Sequence, residues 1–79
     1  MQVYNMDELY TVKEVSKKLK VNIHKVYELV NAGLLPALKL GSLKIRKETL
    51  EDFMIKYEGK DLTDLNNICD LQFNNIEIE

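Results

Sequence analysis

Two helix-start signals stand only eleven residues apart, at Thr11 and at Asn22. Thr11 followed by Glu14 has the spacing of a capping box, in which the hydroxyl accepts the Glu14 amide and the carboxylate accepts the Thr11 amide. Tyr10 and Val15 stand where a hydrophobic staple would place them. Val12, Val15 and Leu19 recur at helical spacing and predict one apolar stripe. Asn22 predicts a second cap, with Val21 and Val26 at the same staple spacing. Ile23, Val26 and Val30 predict the next buried stripe, flanked by Tyr27 and Leu29. Gly33 stands where a helix end needs a residue of positive φ. About three residues separate the two helices, too few for side-by-side antiparallel packing, so a sharp crossing follows: a helix-turn-helix.

The segment 34–47, LLPALKLGSLKIRK, reads differently. Pro36 stops any helix and favours extended backbone before it. Leu40-Gly41-Ser42-Leu43 predicts a two-residue type II′ turn with Gly41 at its first central position. That register sets Leu40 opposite Leu43, Lys39 opposite Lys44, Leu38 opposite Ile45 and Ala37 opposite Arg46. By strand alternation Leu38, Leu40, Leu43 and Ile45 then share one face, and Lys39, Lys44 and Arg46 the other. Two lysines facing across a ladder repel one another. A polyanion lying over the hairpin supplies a reason for that arrangement, although lysine on an exposed strand also protects an edge from aggregation. A third helix is expected over KETLEDFMIKYEG, with Leu50, Phe53, Met54 and Tyr57 as its core stripe, acids in its first turns and Gly59 at its end.

The ordered set in residues 10 to 57 resembles the excisionase-type domain, a small relative of the winged-helix module of MerR-like regulators. The resemblance rests on Thr-Val-x-Glu-Val from Thr11 and on Val26-Tyr27 in the second helix. It continues through Gly33-x-Leu-Pro-Ala, a short hairpin and an apolar helix. It implies a mainly α fold with a small β-hairpin wing, a winged helix-turn-helix. The expected organisation is an arm over 1–9, this domain over 10–59, and an acidic tail over 60–79.

In such a fold the second helix enters the major groove of DNA and its first turns meet base edges. The candidates there are Asn22, His24, Lys25 and Glu28. Lys25 is suited to guanine O6/N7 and Glu28 to cytosine N4. Tyr27 is expected to bury its ring and offer its hydroxyl to a phosphate. The resemblance implies that the hairpin is a wing, with Lys39, Lys44 and Arg46 on phosphates or the minor groove. Lys13 and Lys17 would meet flanking phosphates. Glu28 and Ser42-Leu43 stand where family members usually carry Arg, which implies weak binding by one copy and help from a homodimer, a cooperative array or a partner.

Charge distribution is compatible with this reading. The net charge of the 79 residues is −2, yet residues 1–59 hold ten Lys or Arg against eight acids, and residues 60–79 hold one Lys against five acids. The excess acid lies in the tail, which could rest on the basic face and compete with DNA. Within the tail, 61–66 predicts one further helical turn. LQFNNIEI predicts a hairpin over Asn74-Asn75, with Leu71, Phe73, Ile76 and Ile78 on one face to cover the domain, extend a sheet or make a dimer contact, with disorder as the alternative.

Other classes are disfavoured. No run of about 18 apolar residues suggests a membrane span, and the N-terminus lacks the pattern of a signal peptide. The single Cys69 excludes an intramolecular disulfide and suits a cytoplasmic protein; it is expected to be a small, partly buried hydrophobe. His24 is the only histidine and has no ligand-type residues at metal spacing. No catalytic set and no cofactor signature is present, so the chain is not expected to be an enzyme. The expectation is a sequence-specific DNA-binding protein resembling an excisionase, or recombination directionality factor, that bends DNA for a site-specific integrase. A small MerR-like transcription regulator and a protein-interaction module working through the tail are the alternatives.

Overall fold

In the computed structural model, which describes residues 8–71, two strands run directly into the helices that follow them. Strand β1 (Leu9–Thr11) leads into α1 (Val12–Leu19), and a tight turn leads to α2 (Ile23–Asn31). Strands β2 (Leu38–Leu40) and β3 (Ser42–Arg46) form a hairpin, and β3 passes without a loop into α3 (Lys47–Tyr57). Two short strands, β4 (Lys60–Asp61) and β5 (Cys69–Asp70), close the described chain as an antiparallel pair. Three helices with a three-stranded antiparallel sheet of order β1-β3-β2 make a winged helix-turn-helix fold.

The local signals operate as hydrogen bonds. The Thr11 amide donates to Glu14 Oε1 at 3.0 Å and the Glu14 amide to Thr11 Oγ1 at 3.1 Å, completing the capping box. The Lys25 amide donates to Asn22 Oδ1 at 2.9 Å and caps α2. The turn between them depends on Lys20, whose backbone is left-handed at φ 58°. There the Lys20 and Val21 amides donate to the carbonyls of Lys17 and Ser16. At the end of α2 Gly33 takes φ 79°, and the amides of Leu34 and Leu35 both donate to the Leu29 carbonyl. This folds the chain back and drives Leu35 into the interior.

The core consists of Val12, Val15, Val26, Leu29, Leu35, Ile45, Leu50 and Phe53, with β3 packed between α1 and α3. Burying a side chain of this size contributes about 1.5–3 kcal/mol each. The stripe of α1 is as its spacing predicts, with Leu19 half-buried. That of α2 is rotated: Leu29 is buried beside Val26, whereas Ile23 is exposed. Val26, Leu29 and Val30 keep helical spacing, and Ile23, in the first turn of the helix, stays outside the core cluster. On α3 Leu50 and Phe53 are buried and Tyr57 stacks on Phe53 at 5.2 Å between ring centres, but Met54 is exposed rather than core.

The hairpin register is one residue away from the type II′ expectation. Leu38 pairs with Lys44, Lys39 with Leu43 and Leu40 with Ser42. A slip of one residue moves a strand's whole set of side chains to the opposite face. Leu43 and Ile45 therefore point to the core, while Leu38 and Leu40 lie on the outer face with Lys44 and Arg46. Lys39 is on the other face, so the three cations do not form one row and no lysine faces another. Strand β1 adds on the far side of β3, with Tyr10 opposite Ile45 and Thr11 opposite Lys44. Ile45 is fully buried under it.

After α3 the expected helical turn over 61–66 is absent. Lys60 and Asp70 pair across β4 and β5 by main chain and by an ion pair. The side chains of Asp61 and Asp64 accept from the amides of Thr63 and Asn66 and hold turns that compete with a helix. Leu62 and Leu65 pack against the core. Cys69 is exposed, not partly buried, because it lies on this marginal hairpin. The hairpin expected over Asn74-Asn75 and residues 1–7 of the expected arm lie outside the described residues.

Candidate nucleic-acid interface

The face of α2 opposite Val26 and Leu29 carries His24, Tyr27, Glu28 and Asn31, all exposed. They follow the i, i+3, i+4, i+7 spacing of a single helical stripe. Tyr27 is 43% exposed, so its ring is not the half-core group its apolarity suggests. Asn31 lies beyond the first turns of the helix, where base contacts are expected, and its distance of seven residues from His24 is the signal that places it on the stripe. Asn22 is taken up by its cap.

Lys25 is turned aside from this stripe. Its Nζ donates to the Leu62 carbonyl at 2.7 Å and to the Thr63 carbonyl at 3.3 Å, and lies 3.8 Å from Glu28 Oε2. Lys25 sits about 100° round the helix from Val26, on a flank rather than at the crest. Two main-chain carbonyls meet it there. The sequence reading placed this amine beside His24 as a donor to bases; the structure places it under the segment that follows α3. The same segment borders a shallow crevice lined by Glu28, Asn31, Ala32, Thr63, Asp64 and Leu65. The His24 and Tyr27 end of the stripe lies outside that crevice.

The remaining candidate cations fall on α1 and the hairpin. Lys13 and Lys17 are exposed on α1. Lys44 and Arg46 share the outer face of the hairpin, where Lys44 Nζ donates to Ser42 Oγ and Arg46 Nη2 pairs with Glu48 Oε2 at 3.1 Å. Lys39 is exposed on the opposite face. The displaced carboxyls are structural. Glu14 is held below the usual range by the Thr11 hydrogen bonds, Asp61 by those from Thr63, and Asp70 by Lys60, whose own amine is raised in return.

Comparison by family agrees with this geometry. The family described as helix-turn-helix domain matches residues 9–57, from the first residue of β1 to the last of α3. The chain belongs to the helix-turn-helix domain family. That family is of the DNA-binding class, and no catalytic family is indicated. The chain matches no curated protein and no solved structure. In this helix-turn-helix domain α1 is the supporting helix and α2 the second helix of the motif, with β2–β3 as the wing. Among the described residues no helix is long and apolar enough to cross a membrane.

Proposed function

We propose that the protein binds double-stranded DNA sequence-selectively and acts as an excisionase-like accessory factor, occupying repeated sites and bending DNA for a site-specific integrase. The observation that carries the DNA reading is the exposed stripe His24, Tyr27, Glu28 and Asn31 on the second helix of the motif. In a major groove these side chains meet base edges: Asn31 suits adenine N6/N7 and Glu28 suits cytosine N4. Lys13 and Lys17 meet flanking phosphates, and Lys44 and Arg46 meet phosphates or the minor groove from the wing. Lys39, on the other wing face, contributes a separate contact at the wing's margin. Lys25 supports α2 from its flank.

The excisionase reading is supported by the sequence resemblance over residues 10–57. The second helix has nine residues, which limits one copy to a short site and favours a homodimer or a cooperative array. The cytoplasm is the compartment in which such a factor meets DNA and an integrase.

A salt titration tests DNA binding. Log Kobs should fall linearly with log[salt], by about 0.9 per phosphate neutralised. Lys44→Ala and Arg46→Ala should each reduce that slope and weaken binding to all sequences, whereas His24→Ala should relax sequence choice by about 1–3 kcal/mol. Affinity that does not change with salt sinks the reading. A recombination assay with and without the integrase then assigns the role. Promotion of excision supports the excisionase reading; a promoter effect without it assigns the same surface to transcription regulation.

A further inference from the structure

The outer face of the wing carries two leucines that the described residues leave largely open. Leu38 is 46% and Leu40 63% exposed, while Leu43 and Ile45 of the same hairpin turn inward. Strand β2 is also an edge of the sheet, where exposed apolar side chains invite aggregation unless a partner takes them. The partner's chemistry is indicated by the neighbours. The pairing Leu38↔Lys44 and strand alternation put Lys44 and Arg46 on the leucines' own face. An apolar pair with two cations along one side of it, both on β3, fits a surface with apolar walls and an anionic rim. The minor groove of a duplex has that form, with sugar edges along its walls and phosphates along its rims, and an opened base step exposes an apolar stacking face.

Dimensions decide how much of the wing enters. The groove is about 6 Å wide, whereas two strands stand about 4.8 Å apart before their side chains are added. The ribbon cannot lie inside an undistorted groove, so only its tip reaches the floor. That tip is Leu40-Gly41-Ser42. Gly41 has φ 84°, and apart from its chain neighbours no described atom lies within 4 Å of where its Cβ would stand, so bare backbone is presented beside Leu40. We propose that Leu40 is a wedge, inserted between base pairs from the minor groove, with Leu38 on the sugar edges and Lys44 and Arg46 on the rim phosphates. Insertion of an apolar wedge unstacks one base step and kinks the duplex toward the major groove by about 20–90°. This rests on the DNA reading above and assigns the bending to one residue.

The test uses the full chain on a duplex carrying its selected site, with donor and acceptor dyes at the ends and 2-aminopurine at successive positions under the wing. The wild type should shorten the end-to-end distance by a bend of at least about 20° and raise 2-aminopurine emission at one step. Leu40→Ser should abolish both while keeping the salt slope, and Leu40→Met should retain both. Lys44→Ala should lower the slope by about 0.9 and leave the bend intact. Circular dichroism of Leu40→Ser checks that this exposed substitution leaves the fold unchanged. A bend equal to wild type in Leu40→Ser overturns the proposal, as does wild-type binding without a bend. A dimer in the absence of DNA that Leu40→Ser dissociates also overturns it, and makes a second copy the occupant. Absence of binding by the wild type fails the DNA reading itself, an outcome distinct from all of these.

Discussion

Replacing Lys25 by methionine removes an ammonium while keeping most of the stem that crosses the flank of α2. The ammonium donates to the carbonyls of Leu62 and Thr63 at 2.7 and 3.3 Å, and its side chain is 23% exposed. Hydrogen bonds from charged groups contribute about 1.5–3 kcal/mol each. The Thr63 bond is exposed and water replaces it readily, so the Leu62 bond dominates. The Glu28 pair, at 3.8 Å with a carboxylate side chain 58% exposed, adds under about 0.5 kcal/mol. The expected loss for Lys25→Met is therefore about 1–2 kcal/mol, or roughly 4–16 °C in Tm for a domain of this size. The loss should be regional. Amide exchange should quicken at Thr63, Asn66, Asn67 and Leu71, whose donors are satisfied within the segment after α3. It should change less at the amides of β3. Urea denaturation and exchange measured by NMR read these two effects. A stability change under about 0.3 kcal/mol with unchanged exchange at those amides refutes the strut. A loss of sequence choice with full stability would return Lys25 to the base-reading stripe.

Two further outcomes follow from the turn and the first cap. Lys20→Gly removes the strain of a side chain at φ 58°. The relief of about 1–2 kcal/mol exceeds the added flexibility of the unfolded chain, so urea denaturation should show a gain of about 0.5–1 kcal/mol. Glu14 has a lower pKa in the folded chain because it accepts the Thr11 amide and hydroxyl hydrogen bonds. Its stabilisation is therefore present above the ordinary glutamate value and lost as pH falls through the lower folded one. Glu14→Gln keeps the capping geometry without a titrating proton, so the denaturation midpoint should fall less steeply below about pH 4; parallel acid limbs for the two proteins would contradict this.

What could be read from the sequence was local. Thr11, Glu14 and Asn22 cap through bonds spanning three residues, and the length of α3 follows from its apolar spacing and its acids. The hairpin register was not local. Leucines at 38, 40 and 43 and isoleucine at 45 suit either of two alternations, and the tighter turn that pairs Leu40 with Ser42 separates them; β1, three residues long, has no alternation to announce a strand. The outer stripe of α2 followed once its inner one was known, but Leu29 and Ile23 exchange places only because α1 covers one side. The hold of Lys25 on Leu62 spans 37 positions, and no spacing rule joins them.

Thr11 ends β1 and caps α1, and Arg46 ends β3 and precedes the first turn of α3. Neither junction has slack. One added residue at 46/47 would turn α3 by about 100° and carry Leu50 and Phe53 off the sheet. Relatives of differing length should accommodate their insertions between α2 and β2, at the wing tip, or between β4 and β5. The two strand-to-helix seams are where this architecture forbids indels.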